Sequence, residues 1–328
     1  MQNEKNNIRA EMSFSGRTKE ELSRHWSSAR HCQIAEVAAI ISMCGKVSIN
    51  SREHYSVKVR TENISVARKY FTLLKKTFNI EAETFVSRNR STGSITYTTI
   101  IKKHEDAMKV LQASKLIDMD GEIAEEFSMM RNMVVQKSCC KRAFIRGAFL
   151  AAGSVNNPEK SYHIEIVCAT ESKAEQIREL INSFGLDAKI IIRKKSYVVY
   201  LKEGAQIVDL LNIMEAPVAL MELENVRILK EMRNSVNRMV NCETANINKT
   251  VSAAVKQTED IRFIQDTIGL KKLPDNLREI AEVRLSYPNA TLKELGDLMS
   301  TPLGKSGVNH RLRKLSEIAE KLKEEKGW

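Results

Sequence analysis

The chain repeats itself. CQIAEVAAIISMCGKVSI (Cys32 to Ile49) resembles CKRAFIRGAFLAAGSVNN (Cys140 to Asn157), and the glycines that close the two runs, Gly45 and Gly153, lie 108 positions apart. A duplicated unit constrains a fold strongly, because both copies must bury the same faces. The likeness continues downstream. HYSVKVRTEN (His54 to Asn63) parallels YHIEIVCATES (Tyr162 to Ser172), each a strand followed by Thr-Glu opening a helix. Amphipathic helices follow, ISVARKYFTLLKKTF (Ile64 to Phe78) and KAEQIRELINSF (Lys173 to Phe184); Leu180, Ile181 and Phe184 form one apolar stripe in the second. Strand pairs come next, IEAETFVSR with ITYTTIIKK around Gly93, and AKIIIRK with YVVYLK around Ser196. The expected class is α+β: two copies of αββαββα, each with an antiparallel sheet, in one pseudo-two-fold domain over residues 18–214. Residues 1–17 read as an N-terminal extension and the start of a first helix.

The pattern changes after Pro217. Ala219 to Val240 holds no Gly or Pro, and Leu223, Val226, Ile228 and Leu229 interleave with Arg227, Lys230 and Arg233. This predicts a helix that restarts near Thr244, a helical connector over residues 215–270 whose plain role is structural linkage. KKLPDN then marks a boundary, and residues 271–328 read as an all-helical domain. NLREIAEVRLSY stops at Pro288, TLKELGDLM opens on a Thr291-x-x-Glu294 capping box, and SGVNHRLRKLSEIAEKLK forms a third helix. Leu292, Leu295, Leu298 and Met299 supply the apolar face of the second helix, and Gly296 allows a close approach.

On the third helix Val308, Leu312 and Leu315 fall at i, i+4 and i+7, one buried stripe. The opposite face carries Ser306, Asn309, His310, Arg313 and Lys314, with Lys305 and Arg311 at its edges; no acidic residue occurs from Lys305 through Leu315. Three helices ending in such a face fit a helix-turn-helix, whose last helix enters the major groove of duplex DNA. Asn reads adenine and Arg reads guanine by paired hydrogen bonds, while Lys and Arg at the edges hold phosphates. A small bundle with a basic solvated face is the plainer account of the same pattern. Lys+Arg 52 against Asp+Glu 41 gives +11, with a pI near 9.3, a balance that suits a polyanionic partner and equally a basic soluble protein with none. Strand residues Lys58, Arg60, Arg88, Arg90, Arg193, Lys194 and Lys195 could line a basic saddle or simply solvate a sheet face.

Other chemistries find little support. The six cysteines (Cys32, Cys44, Cys139, Cys140, Cys168, Cys242) form no Cys-x-x-Cys pair and have no His at zinc-finger spacing, which predicts reduced thiols. No Ser/His/Asp or Cys/His grouping, P-loop or G-x-G-x-x-G is evident, so no catalytic residues, metal or cofactor are expected. MQNEKNNIRAEMSFSG lacks an apolar targeting core, and no run approaches the roughly 18 apolar residues of a membrane span. A cytoplasmic protein with no membrane partner is expected.

The glycine-closed runs resemble the LAGLIDADG motif of homing endonucleases, Val37 to Gly45 in one copy and Ile145 to Gly153 in the other. Small residues at Ala35, Ala39 and Ser42, and at Ala143, Gly147 and Ala151, would let the two helices pack closely. In that family an acid precedes each final Gly and the pair binds the metal that activates water. The matching positions here are Cys44 and Ala152, degenerate metal positions that offer no hard oxygen. Met43 and Ala151, one position back, do not help.

A degenerate two-repeat domain of this kind joined to a C-terminal helix-turn-helix is similar to the WhiA family. MSFSGRTKEELSR, RGAFLAAGSVNNP, NRMVNCETANINKT and GKSGVNHRLRKL carry the resemblance, which begins near Met12; the preceding eleven residues read as an extension or a different start site. The resemblance implies a bacterial transcription regulator with roles in sporulation, cell division or chromosome segregation. It would be associated with the nucleoid, with duplex DNA as partner and RNA polymerase or another regulator as a further one. The last helix also resembles the promoter-reading part of sigma factors. Two alternatives stay open: a protein-interaction adaptor with secondary DNA binding, and an endonuclease with relocated metal ligands.

Overall fold

The computed structural model describes residues 12–50, 54–117 and 134–325. The first eleven residues, read above as an extension, lie outside these. Two compact units divide the chain after Lys230.

The first unit opens with helix α1 (Phe14–Arg24), capped by the Ser13 hydroxyl on the Gly16 amide at 3.1 Å. The first repeat follows as α2 (Arg30–Cys44), β1 (Gly45–Ile49), β2 (Tyr55–Thr61), α3 (Ile64–Leu73), β3 (Glu83–Arg88), β4 (Ile95–Ile101) and α4 (His104–Ala113). The second is α5 (Ser138–Ala152), β5 (Gly153–Val155), β6 (Ile164–Cys168), α6 (Glu171–Asn182), β7 (Lys189–Arg193), β8 (Ser196–Leu201) and α7 (Gly204–Met214). Both copies are αββαββα, as expected. Their sheets are antiparallel with matching orders, β1-β2-β4-β3 and β5-β6-β8-β7. One departure is local: α3 ends in a widened π turn (Leu74–Phe78) closed by Asn79 at φ +56°.

Each sheet buries alternate residues. Val57 and Val59 point inward from β2, and Ile164, Ile166 and Cys168 from β6; Lys58 and Arg60 point outward. The inward rows share one aliphatic core with α2 and α5, which are buried along nearly their whole length. The seam between α2 and α5 depends on Gly147. A Cβ there would lie 2.6 Å from the Glu36 carbonyl oxygen and 2.9 Å from the Ala39 Cβ. Small residues thus set the approach, as the pattern predicts.

Charge also enters the seam. Glu36 on α2 and Arg146 on α5 are buried, with Arg146 Nε 3.4 Å from Glu36 Oε1. Arg146 also donates to Glu215 at 2.5 Å, the Met214 carbonyl at 3.2 Å and the Ser27 hydroxyl at 2.8 Å. Lys69 lies 3.5 Å from Glu36 and donates to the His25 carbonyl. Burial pushes the Glu36 carboxyl up, against the pull of Arg146 and Lys69.

Helix α8 (Pro217–Thr267) is a single run of 51 residues. The restart expected near Thr244 does not occur. No Gly or Pro lies between Val218 and Thr267, and the Asn and Thr residues around position 244 cost only tenths of a kcal/mol each against helix, about 0.5. Its start is tied to the first unit: Glu21 accepts from the Val218 and Ala219 amides at 2.7 and 3.0 Å, and Lys230 donates to the Pro158 carbonyl at 2.7 Å.

In the second unit Ile261 and Ile264 near the end of α8 belong to a compact core with Leu273, Leu277, Ile280, Leu295, Val308, Leu312 and Leu315. A 3-10 turn (Leu270–Lys272) leads to α9 (Asp275–Ser286), α10 (Leu292–Asp297) and α11 (Lys305–Glu325). Buried Arg284 organises the turn between α9 and α10, donating to the Ala290 carbonyl at 2.7 Å and to the Gln257 side chain at 2.6 and 3.0 Å.

Candidate nucleic-acid interface

The placement of α11 is built from the preceding turn. The Thr291 hydroxyl accepts from the Glu294 amide at 3.3 Å, and the Glu294 carboxylate accepts from the Thr291 amide at 2.7 Å, completing the capping box. Those bonds also hold the Glu294 carboxyl below its ordinary range. After α10 the chain folds back so that the Leu303 amide donates to the Gly296 carbonyl at 3.1 Å. A Cβ at Gly296 would lie 2.0 Å from the Leu303 carbonyl oxygen, so glycine is required for the turn to close. Glu279 on α9 accepts from the Ser300 amide at 2.6 Å and fixes the same turn from the other side.

From this turn α11 buries Val308, Leu312, Leu315 and Ala319. Lys305, Ser306, Asn309, His310, Arg313 and Lys314 are exposed. Ser306, Asn309, His310 and Arg313 stand at i, i+3, i+4 and i+7 and therefore share one face. Arg311, at the edge of this face, is half-buried and donates to the Asn276 carbonyl at 3.3 Å, so it also braces α11 against α9. Among the described residues Lys305, Arg313 and Lys314 enter no ion pair. Lysine in the first turn opposes the positive end of the helix dipole, a local cost that an anion at that end would relieve.

The seam ends of α2 and α5 have a different chemistry from a nuclease centre. Cys44 donates its thiol hydrogen to the Ile40 carbonyl at 3.2 Å, and burial pushes that thiol up to about 12. Ala152 presents a methyl group. Lys19 from α1 lies against this end, its ammonium 5.9 Å from the Phe149 ring, and burial lowers it to about 8. A neutral thiol, a methyl group and an amine do not form a magnesium site.

The two outer sheet faces are unequal. On the first, Lys46 and Lys58 are directly paired across β1 and β2, and Arg60 lies two residues on. None of the three enters an ion pair among the described residues. Like charges placed opposite one another are destabilising unless an anion joins them. On the second, Arg193 is paired with Glu165 at 3.1 Å, and Glu165 also binds His163 at 3.0 Å. Arg88 takes the opposite strand parity from Lys58 and Arg60, and Arg90, Lys194 and Lys195 are in turns. The seven strand and turn cations therefore do not make one continuous row.

One grouping contradicts the expectation that no Cys/His cluster exists. His31, Cys32, Cys139 and Cys140 converge, with all four ligand atoms within 4.8 Å of one another. The signal was present in the repeat, since His31 and Cys139, like Cys32 and Cys140, are 108 positions apart. None of the six cysteines is joined in a disulfide.

Three family models match the chain in order: the WhiA N-terminal LAGLIDADG-like domain over residues 30–117, the WhiA LAGLIDADG-like domain over 141–233 and the WhiA C-terminal HTH domain over 236–319. A protein of Lachnoclostridium phytofermentans named "Probable cell division protein WhiA" is 56% identical, covering 95% of this chain and 100% of that protein. Its namesake in Alkaliphilus oremlandii is 52% identical, covering 96% and 99%. The crystal structure of full-length DUF199/WhiA from Thermatoga maritima superposes with a TM-score of 0.57 at 25% identity, over 94% of this chain and 99% of that one.

Proposed function

The chain belongs to the WhiA family, and from that premise we propose that it is a sequence-specific DNA-binding regulator of transcription serving cell division, chromosome segregation or sporulation. The observation that carries this reading is the acid-free, unpaired basic face of α11, presented by a helix-turn-helix core. In this reading Asn309, His310 and Arg313 meet base edges, and Lys305, Ser306 and Lys314 meet phosphates. Arg311 adds positive potential while bracing the helix. The protein acts in the cytoplasm on the nucleoid, with RNA polymerase or another regulator as its second partner. It has no nuclease activity, because Cys44 and Ala152 stand where metal-binding acids would be.

The test is binding of the full chain to genomic fragments recovered by genome-wide mapping of bound DNA. Arg313→Ala should lower affinity for a recovered site by about 1–3 kcal/mol, roughly five- to 150-fold, and relax preference at the contacted base. Equal binding of recovered and random fragments would overturn sequence-specific recognition. Replacing Asn309, His310 and Arg313 together should abolish complementation of a deletion strain. Full complementation would favour the adaptor reading.

A further inference from the structure

We propose that His31, Cys32, Cys139 and Cys140 form a mononuclear zinc site that staples the two repeats together at the N-terminal ends of α2 and α5. The repeat supplies one adjacent pair from each copy, so the site straddles the pseudo-two-fold axis. His31 Nδ1 lies 3.2 Å from Cys140 Sγ and 3.3 Å from Cys32 Sγ. In a tetrahedral S₃N zinc site with bonds near 2.0 and 2.3 Å, ligand atoms are about 3.5–3.8 Å apart. The observed spread of up to 4.8 Å exceeds that by about 1 Å at most. Iron–sulfur clusters hold their cysteines around several iron atoms and need a wider spread, so the spacing selects a single ion.

The surroundings suit the charge. Three thiols lose their protons on binding: Zn²⁺ with three Cys–SH and neutral His31 gives a ZnS₃N centre of charge −1 and three released protons. Both ligand pairs sit in the first turn of a helix, where the dipole is positive. Neither N-cap residue, Ala29 or Lys137, supplies a side-chain acceptor for the first-turn amides. Cys32 and Cys140 are buried, while His31 and Cys139 are exposed and give the ion a route in. The site is at the other end of the seam from Cys44 and Ala152, about 18 Å along the helices. It therefore does not restore the endonuclease centre.

The test uses the untagged full chain purified from zinc-supplemented cells under reducing conditions. Elemental analysis should find one zinc per chain. Cobalt(II) exchanged into the site should give thiolate charge-transfer bands and intense visible d–d bands of tetrahedral S₃N coordination. Cys139→Ser should weaken zinc binding at least tenfold. His31→Ala should lose the ion and His31→Cys should keep it, while Cys168→Ser should leave stoichiometry unchanged. Chelation should lower the thermal midpoint of the first unit. Absence of zinc and of the cobalt bands, an iron chromophore, a Cys32 disulfide to Cys139 or Cys140, or equal loss in both His31 variants would overturn the assignment.

Discussion

At the scale of single residues, the buried charges of the seam are the most consequential. Arg146 holds both Glu36 and Glu215. Arg146→Leu leaves the Glu36 carboxyl without its main partner and should cost about 3–5 kcal/mol in urea unfolding. The deficit should depend on pH. A buried carboxyl whose folded pKa is raised binds more protons folded than unfolded, so the variant should lose stability as pH rises through that folded value. A deficit below about 1 kcal/mol, or one independent of pH, would contradict the network's role. Lys19 shows the opposite sign. Its folded value of about 8 is below its unfolded value, so it costs stability fully below pH 8, and the cost fades toward pH 10.5. Lys19→Met should therefore stabilise the protein at pH 7 by about 2 kcal/mol and give no gain above pH 10.5. Unfolding curves of both proteins at the two pH values decide this.

At the scale of elements, short-range rules hold where the chain is locally self-consistent. The capping box at Thr291 was legible because both of its bonds join residues three apart. Thr291→Ala should lower the stability of the second unit by about 1 kcal/mol, seen as an earlier thermal transition. The sequence predicts a restart near Thr244, whereas α8 runs through it unbroken. Intrinsic propensity over one turn is too small to end a helix without Gly, Pro or a competing cap. The face of α11 was legible for most residues, but Arg311 was drawn into an internal bond because its neighbour Asn276 comes from another helix.

At the scale of the whole molecule, charge sets how the protein meets nucleic acid. A net charge of +11 and the unpaired cations of α11 predict affinity for duplex DNA that falls steeply with salt. Lys314→Ala should reduce the slope of log K against log salt by about 1 without changing site preference, in contrast to Arg313→Ala. Supercoiled plasmid incubated with the protein and magnesium or manganese should remain uncut across pH 6–9, a window of about three units around the ordinary range of metal-bound water. Nicking above background would show relocated ligands.

What the sequence determined by itself was whatever depends on local periodicity and residue type. It specified two αββαββα copies, the helical C-terminal unit, the acid-free stripe of α11 and the absence of acids before Gly45 and Gly153. Only the tertiary structure decided what rests on residues far apart in the chain. The packing of α2 on α5 brings His31 and Cys32 to Cys139 and Cys140, and Glu36 to Arg146. Strand register leaves Lys46 facing Lys58, while Arg193 is neutralised by Glu165. The physical reason is the same in each case: periodicity states which face a residue takes, but close helix packing and sheet register choose which residues share it.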